Sequence, residues 1–188
     1  MKRILLFSFV VVGFLLAGCT DNSSVLQPTN SDLNKKAVQS DPATLIKLPF
    51  SFLNKHKTVN SIIYGYIGGT VEIEGKIKKG VEYHGKLKVP AGAFSGKIKF
   101  TMKLDNKYAG FDFGPDGATF VLPLLFTGDI EGLDLNGVDP NNLNFGFVDD
   151  NGNFEPVVYD KLEINIKEGK VKVKNAQLKH FSRYNWAK

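Results

Sequence analysis

One side chain in this sequence is placed for covalent modification: Cys19, the single cysteine of a 188-residue chain. Leu16-Ala17-Gly18 stand directly before it, and Lys2 and Arg3 open an apolar run from Ile4 to Leu16. A basic start, a short apolar core and small residues at its end form the pattern of a secretory signal peptide. With a cysteine immediately after, it reads as a lipobox. Cleavage before Cys19 leaves a thiol and an amine on one residue, both of which take acyl chains. One chain holds a protein weakly to a membrane, whereas two or more hold it stably. The apolar run is short for a span, which needs about 20 residues. The expected product is a bacterial lipoprotein, exported and held in the cell envelope by acyl chains on Cys19. Thr20 stands where an aspartate would mark inner-membrane retention, so a Gram-negative host is expected to send it to the outer membrane.

A second group is non-covalent. Lys86, Lys88, Lys97, Lys99 and Lys103 fall at alternate positions of two apolar-polar runs. All five are expected to point outward on neighbouring strands. Such a strip attracts anionic lipid, glycan or an acidic partner over about 8 Å. It equally serves as a solvated face that guards strand edges against aggregation, and the latter is the preferred reading. The export signal and the lack of aromatics clustered among these lysines argue against nucleic acid.

Other chemistry is poorly supported. Asp149-Asp150-Asn151-Gly152-Asn153 has the composition of a calcium loop, but its glycine is misplaced and no glutamate closes a twelve-residue loop. It reads as a hairpin turn. His56 and His84 stand apart among lysines without a metal-ligand spacing. There is no Gly-rich phosphate loop, nucleophile elbow or closely spaced acid pair. No metal and no cofactor is expected.

The elements that carry these residues are strands. The chain holds 19 glycines and 15 phenylalanines, and 43% of its residues are hydrophobic, which favours short strands joined by tight turns. Residues 1–18 read as the signal peptide and 19–44 as the lipidated N-terminus and a flexible polar tether. Residues 45–60 read as an extended lead-in that docks on the domain, and 61–188 as the domain itself. Loss of Lys2 and Arg3 with the leader lowers the formal charge from +5 to +3.

The hairpin 71–89 can be placed in register. Val71, Ile73, Gly75 and Ile77 alternate with charges, as do Val81, Tyr83, Gly85, Leu87 and Val89, around Lys78-Lys79-Gly80. Pairing Ile77 with Val81 sets Lys76 opposite Glu82, Glu72 opposite Lys86 and Glu74 opposite His84. Opposite charges across a ladder contribute about 0.2–1 kcal/mol each. Tyr83 then covers Gly75. Residues 98–104, 143–147 with 154–158, and 162–166 with 171–173 follow the same period. No helix with an apolar stripe is present. The fold expected is all-β, an antiparallel two-sheet β-sandwich preceded by the signal peptide and tether.

Five local motifs occur in a suggestive order: Gly68-Gly69-Thr70-Val71, Val89-Pro90-Ala91-Gly92-Ala93-Phe94, Phe113-Gly114-Pro115-Asp116-Gly117-Ala118-Thr119-Phe120 with Leu122-Pro123-Leu124, Asp149 to Pro156, and His180-Phe181-Ser182-Arg183-Tyr184. In this order the chain from about Ser61 to Trp186 resembles the ZU-five domain of zonula occludens protein, netrin receptors and ankyrins, and in particular bacterial lipoproteins carrying a divergent copy. The resemblance implies a sandwich that serves as a non-catalytic structural or protein-interaction module. In a death-domain adaptor of that family a His-Phe-Ser triplet is a self-cleavage site. Carried over, Ser182 would attack the Phe181 carbonyl with His180 as base, in an N-to-O acyl shift. The preferred reading is that the triplet is simply the last strand. A further alternative is a ligand carrier whose strands enclose a cavity lined by Phe100, Phe113, Phe120, Phe145 and Phe147.

Overall fold

A computed structural model describes residues 44–49, 57–77 and 80–188. Cys19, the signal peptide and the tether up to residue 43 lie outside the described residues. Among the described residues eleven strands form two antiparallel sheets: β1 Thr58–Tyr64, β2 Gly69–Lys76, β3 Glu82–Val89, β4 Lys97–Leu104, β5 Gly110–Gly114, β6 Thr119–Glu131, β7 Asn144–Val148, β8 Phe154–Pro156, β9 Lys161–Asn165, β10 Lys170–His180 and β11 Arg183–Ala187. One sheet has the order β1-β4-β5-β11-β7-β8 and the other β2-β3-β6-β10-β9. The architecture is the expected β-sandwich, with no α-helix among the described residues and a 3-10 turn at Pro140–Asn142.

The hairpin register is as the charge pattern requires. Lys76 faces Glu82, Glu72 faces Lys86, and Tyr83 faces Gly75. Ion pairs join Lys76 to Glu82 and Lys86 to Glu72, the latter at 2.6 Å. His84 differs. It stands opposite Glu74, but its Nδ1 lies 3.3 Å from Asp129 on the other neighbouring strand, β6. The pairing of β3 with β6 joins residues 45 positions apart in sequence, which a local hairpin pattern does not encode.

One-sided burial drives the two sheets together. Along β3 and β6 alternate residues are buried, and Leu87, Leu124, Phe126 and Ile130 face the opposite sheet. The interior is largely aromatic. Phe126 meets Phe111 and Phe113 with centroids 5.1 Å apart in each case, and Phe145 meets Trp186 at 4.8 Å. Edge-to-face contacts of this kind add about 0.5–1.5 kcal/mol each beyond area burial.

Of the lead-in, residues 50–56 lie outside the described residues, and residues 45–49 lie against the sandwich. Ile46 and Leu48 are buried, Leu45 bridges Ala187, and the Ile46 N–H donates to Trp186 at 3.0 Å. The sandwich also begins before residue 61, because β1 opens at Thr58 and Thr44 already exchanges hydrogen bonds with Lys188.

Candidate functional site

His180-Phe181-Ser182 is a corner rather than the last strand. β10 ends at His180 in one sheet, and β11 starts at Arg183 in the other. Phe181 supplies the reason for the crossing: its ring is driven into the core against Phe120 at 4.8 Å and Phe100 at 5.0 Å. Three backbone groups of the corner are hydrogen-bonded to the β5–β6 connection and to β5. Phe181 donates to Ala118 at 2.7 Å, its carbonyl accepts from Gly117 at 3.1 Å, and the Ser182 carbonyl accepts from Phe113 at 3.0 Å. The imidazole of His180 packs edge-on against Phe147, centroids 4.6 Å apart. No hydrogen bond joins it to the Ser182 hydroxyl among the described residues; Ser182 instead borders a surface depression with Lys103, Asp112 and Arg183. Neither Phe181 nor Ser182 has positive φ; Asn175 is the only non-glycine residue that does, among those described. The geometry holds a bend and shows neither an aligned base nor a strained left-handed backbone there.

The five lysines do not form one strip. Lys86 and Lys88 lie on β3, whereas Lys97, Lys99 and Lys103 lie on β4 in the opposite sheet. Residues 90–96 carry the chain across the sandwich, so outward on the two strands means opposite faces. Alternation reveals that a residue points out but not which sheet it belongs to. Lys86 is paired with Glu72, and Lys103 lies 3.3 Å from Asp112. Among the described residues no acid pairs with Lys88, Lys97 or Lys99.

The proposed ligand cavity is filled. Phe100, Phe113 and Phe145 are core residues, and Phe120 and Phe147 pack against that core. Phe100 and Phe120 stack 6.1 Å apart. The corresponding space holds side chains, not a chamber. The Asp149 loop is a hairpin turn, as expected. Its carboxylate accepts from the Asn151 and Asn153 amides at 2.9 and 2.7 Å and from the Asn153 side chain at 2.7 Å. Those bonds, the Asn153 side chain first, hold the Asp149 carboxyl below its usual range. Among the described residues, no three His, Cys, Asp or Glu side chains gather as a metal site.

Two features escaped the sequence reading. The first is a polar row on the outer face of the six-stranded sheet. Asp112 stands in register between Lys103 on β4 and Arg183 on β11. Burial, then the charge of Asp105, pushes the Asp112 carboxyl up against the opposing pull of Lys103. The three strands are distant in sequence, so no local motif announces them.

The second is an exposed apolar end. Three stretches without charge, residues 58–71, 89–96 and 117–128, converge there. The turn after β1 is tied to the β3–β4 crossing by Gly65 N–H to Gly96 (2.9 Å) and Gly92 N–H to Gly65 (2.7 Å). That crossing is tied to β6 by Val121 N–H to Ala93 (2.9 Å). Tyr64 and Tyr66 pack edge-on, 6.1 Å apart. Tyr66 is 75% exposed, Ile67 61% and Val121 85%. Single exposed apolar residues are ordinary, but a contiguous group marks an interaction surface. The gaps in the charge pattern were its sequence signal.

No family model, curated protein or solved structure matches this chain.

Proposed function

We propose that this protein is a lipid-anchored, non-catalytic binding module of the bacterial cell envelope, held by acyl chains on Cys19. The single observation that carries the binding role is the exposed apolar end, displayed on a sandwich whose interior is packed solid with aromatic rings. A rigid body with a filled core and an apolar surface at one end is suited to docking rather than to turnover. The lipobox Leu16-Ala17-Gly18-Cys19 supports the anchor and the export. The order of motifs that resembles a ZU-five domain supports an interaction or structural role.

The anchor is tested by metabolic labelling with radioactive palmitate in a bacterial host, comparing the wild-type chain with Cys19→Ser. The expected result is label and membrane fractionation for the wild type and neither for the variant. Label that survives in Cys19→Ser, or a wild-type protein found unlabelled and soluble, overturns the anchored reading.

A further inference from the structure

We infer that the apolar end is a second membrane contact, which inserts into the interfacial zone of a bilayer containing anionic phospholipid. The inference rests on the envelope reading and names the partner of its binding surface. Three observations favour lipid over another occupant. The residue types fit an interface: Tyr64 and Tyr66 carry rings with a polar tip, suited to headgroup depth, while the exposed Ile67, Val121 and Leu122 offer purely apolar groups. Insertion of such groups to about 5–10 Å is the ordinary mode of peripheral membrane contact.

The second observation is charge. The loop 89–96 is bounded at both ends by lysine, Lys88 and Lys97, both exposed. In the β1–β4 ladder Tyr64 stands opposite Lys97 and Ile62 opposite Lys99. Lys179 is exposed too, between the register pairs Leu178–Leu124 and His180–Thr119, and so lies across from the Val121 segment. Asp116, which precedes the third uncharged stretch, is the acid nearest to it in sequence at this end. An apolar tip collared by lysines that pair with no acid among the described residues is complementary to acyl chains beneath anionic headgroups, each lysine near such a surface adding to binding. The lysines need not form a strip to do this, because β3 and β4 meet at the same end from opposite faces.

The third is reach. The described chain starts at Thr44, paired with Lys188 at the end of β11 that points away from the apolar tip. An anchor at Cys19 is separated from Thr44 by two dozen residues, roughly 80 Å of extended chain. An eight-residue strand is only about 26 Å long. The tether therefore permits the far end of the sandwich to meet the same membrane.

The test uses the mature chain from residue 19 with Cys19→Ser, which contains the whole compact unit Ser40–Lys188 and no acyl chain. Co-sedimentation is measured with vesicles of phosphatidylglycerol and phosphatidylethanolamine, and with vesicles of phosphatidylcholine alone. Binding to the anionic vesicles is expected, weakened by added salt. Ile67→Asp with Val121→Asp should reduce partitioning about 100-fold or more. Lys97→Glu with Lys99→Glu should reduce it about 30-fold or more on anionic vesicles and leave phosphatidylcholine unaffected. All four residues are exposed, so an unchanged emission from buried Trp186 verifies folding; Tyr66→Ser is the milder variant should the double aspartate fail that check.

Absence of vesicle binding, or binding that ignores both double variants, overturns the inference. Self-association that Ile67→Asp with Val121→Asp abolishes, in a chain that ignores vesicles, overturns it in favour of a second copy. Failure of the anchored reading is separately visible, as missing palmitate on wild-type Cys19.

Discussion

The phenol of Tyr184 donates a 2.8 Å hydrogen bond to the carbonyl of His180, reaching back across the corner where the chain leaves one sheet for the other. Tyrosine corners in other sandwiches use the same device, a side chain that clamps the backbone a few residues upstream. Here the clamp spans the triplet that a self-cleaving domain would cut. Tyr184→Phe leaves the His180 carbonyl without this donor and is expected to lower stability by about 1–3 kcal/mol. Urea unfolding followed by Trp186 emission reads that loss. The corner itself should stay intact: denaturing mass spectrometry is expected to give one undivided chain, the same for Ser182→Ala. A missing fragment from Ser182 to Lys188 would make the corner a processing site and end the non-catalytic reading.

Gly75 and Tyr83 make a second prediction. A Cβ placed on Gly75 would sit 2.3 Å from the Tyr83 hydroxyl and 2.4 Å from its ring carbon Cζ. The ring cannot easily withdraw, since Tyr83 is 1% exposed and packs against Phe111 with centroids 6.3 Å apart. Gly75→Ala should therefore cost about 1–3 kcal/mol, the usual range for overpacking a core. The same denaturant titration measures it, and an unchanged midpoint would mean that the ring is freer than its burial implies.

Asn175 sits in a bulge of β10 with φ +52°, between the ladder partners of Val173 and Ala176. Its backbone N–H donates to Thr127 Oγ1 at 3.1 Å and its side chain donates to Asp160 at 2.6 Å. Asparagine tolerates the left-handed region better than most residues, and glycine better still. Asn175→Ala loses both the tolerance and the side-chain bonds, for an expected destabilisation of about 1–2 kcal/mol. Asn175→Gly should fall well short of that. Equal losses in the two variants would assign the whole effect to the hydrogen bonds and none to the backbone.

These residues also show how much the sequence discloses. The pairing of Gly75 with Tyr83 was legible because turn, apolar alternation and charge all act within twenty residues and agree. The corner at Phe181 was not, since period two continues up to His180 and resumes at Arg183 with nothing local to say that the sheet has changed. The lysines failed for the same reason: Lys88 and Lys97 flank a crossing that reads as an ordinary loop. β6 was hidden by its own burial. Phe120 to Phe126 is nearly unbroken apolar sequence, and a run without alternation is silent about strand or helix. Long-range partners such as His84 with Asp129, or Asp112 between Lys103 and Arg183, exist only once the topology has been assembled.

Alkaline pH should weaken the fold through its buried phenols. Burial pushes the Tyr184 hydroxyl well above its ordinary range, and burial raises Tyr83 also. The unfolded chain therefore releases these protons first, near the ordinary value of 10.0. Their contribution to stability is fully present below that pH and is lost as pH climbs toward the folded pKa values. Where a tyrosine is ionised in the unfolded chain and neutral in the folded one, stability falls by up to about 1.4 kcal/mol per pH unit. Urea midpoints are expected to be level across neutral pH with respect to these groups and to decline above about pH 10. Tyr184→Phe should be less stable at pH 7 yet decline less steeply, because phenylalanine has no proton to lose. A Tyr184→Phe slope as steep as the wild type would place the titrating phenols elsewhere, and a slope flattened only by Tyr83→Phe would name Tyr83 as the group that opens the fold.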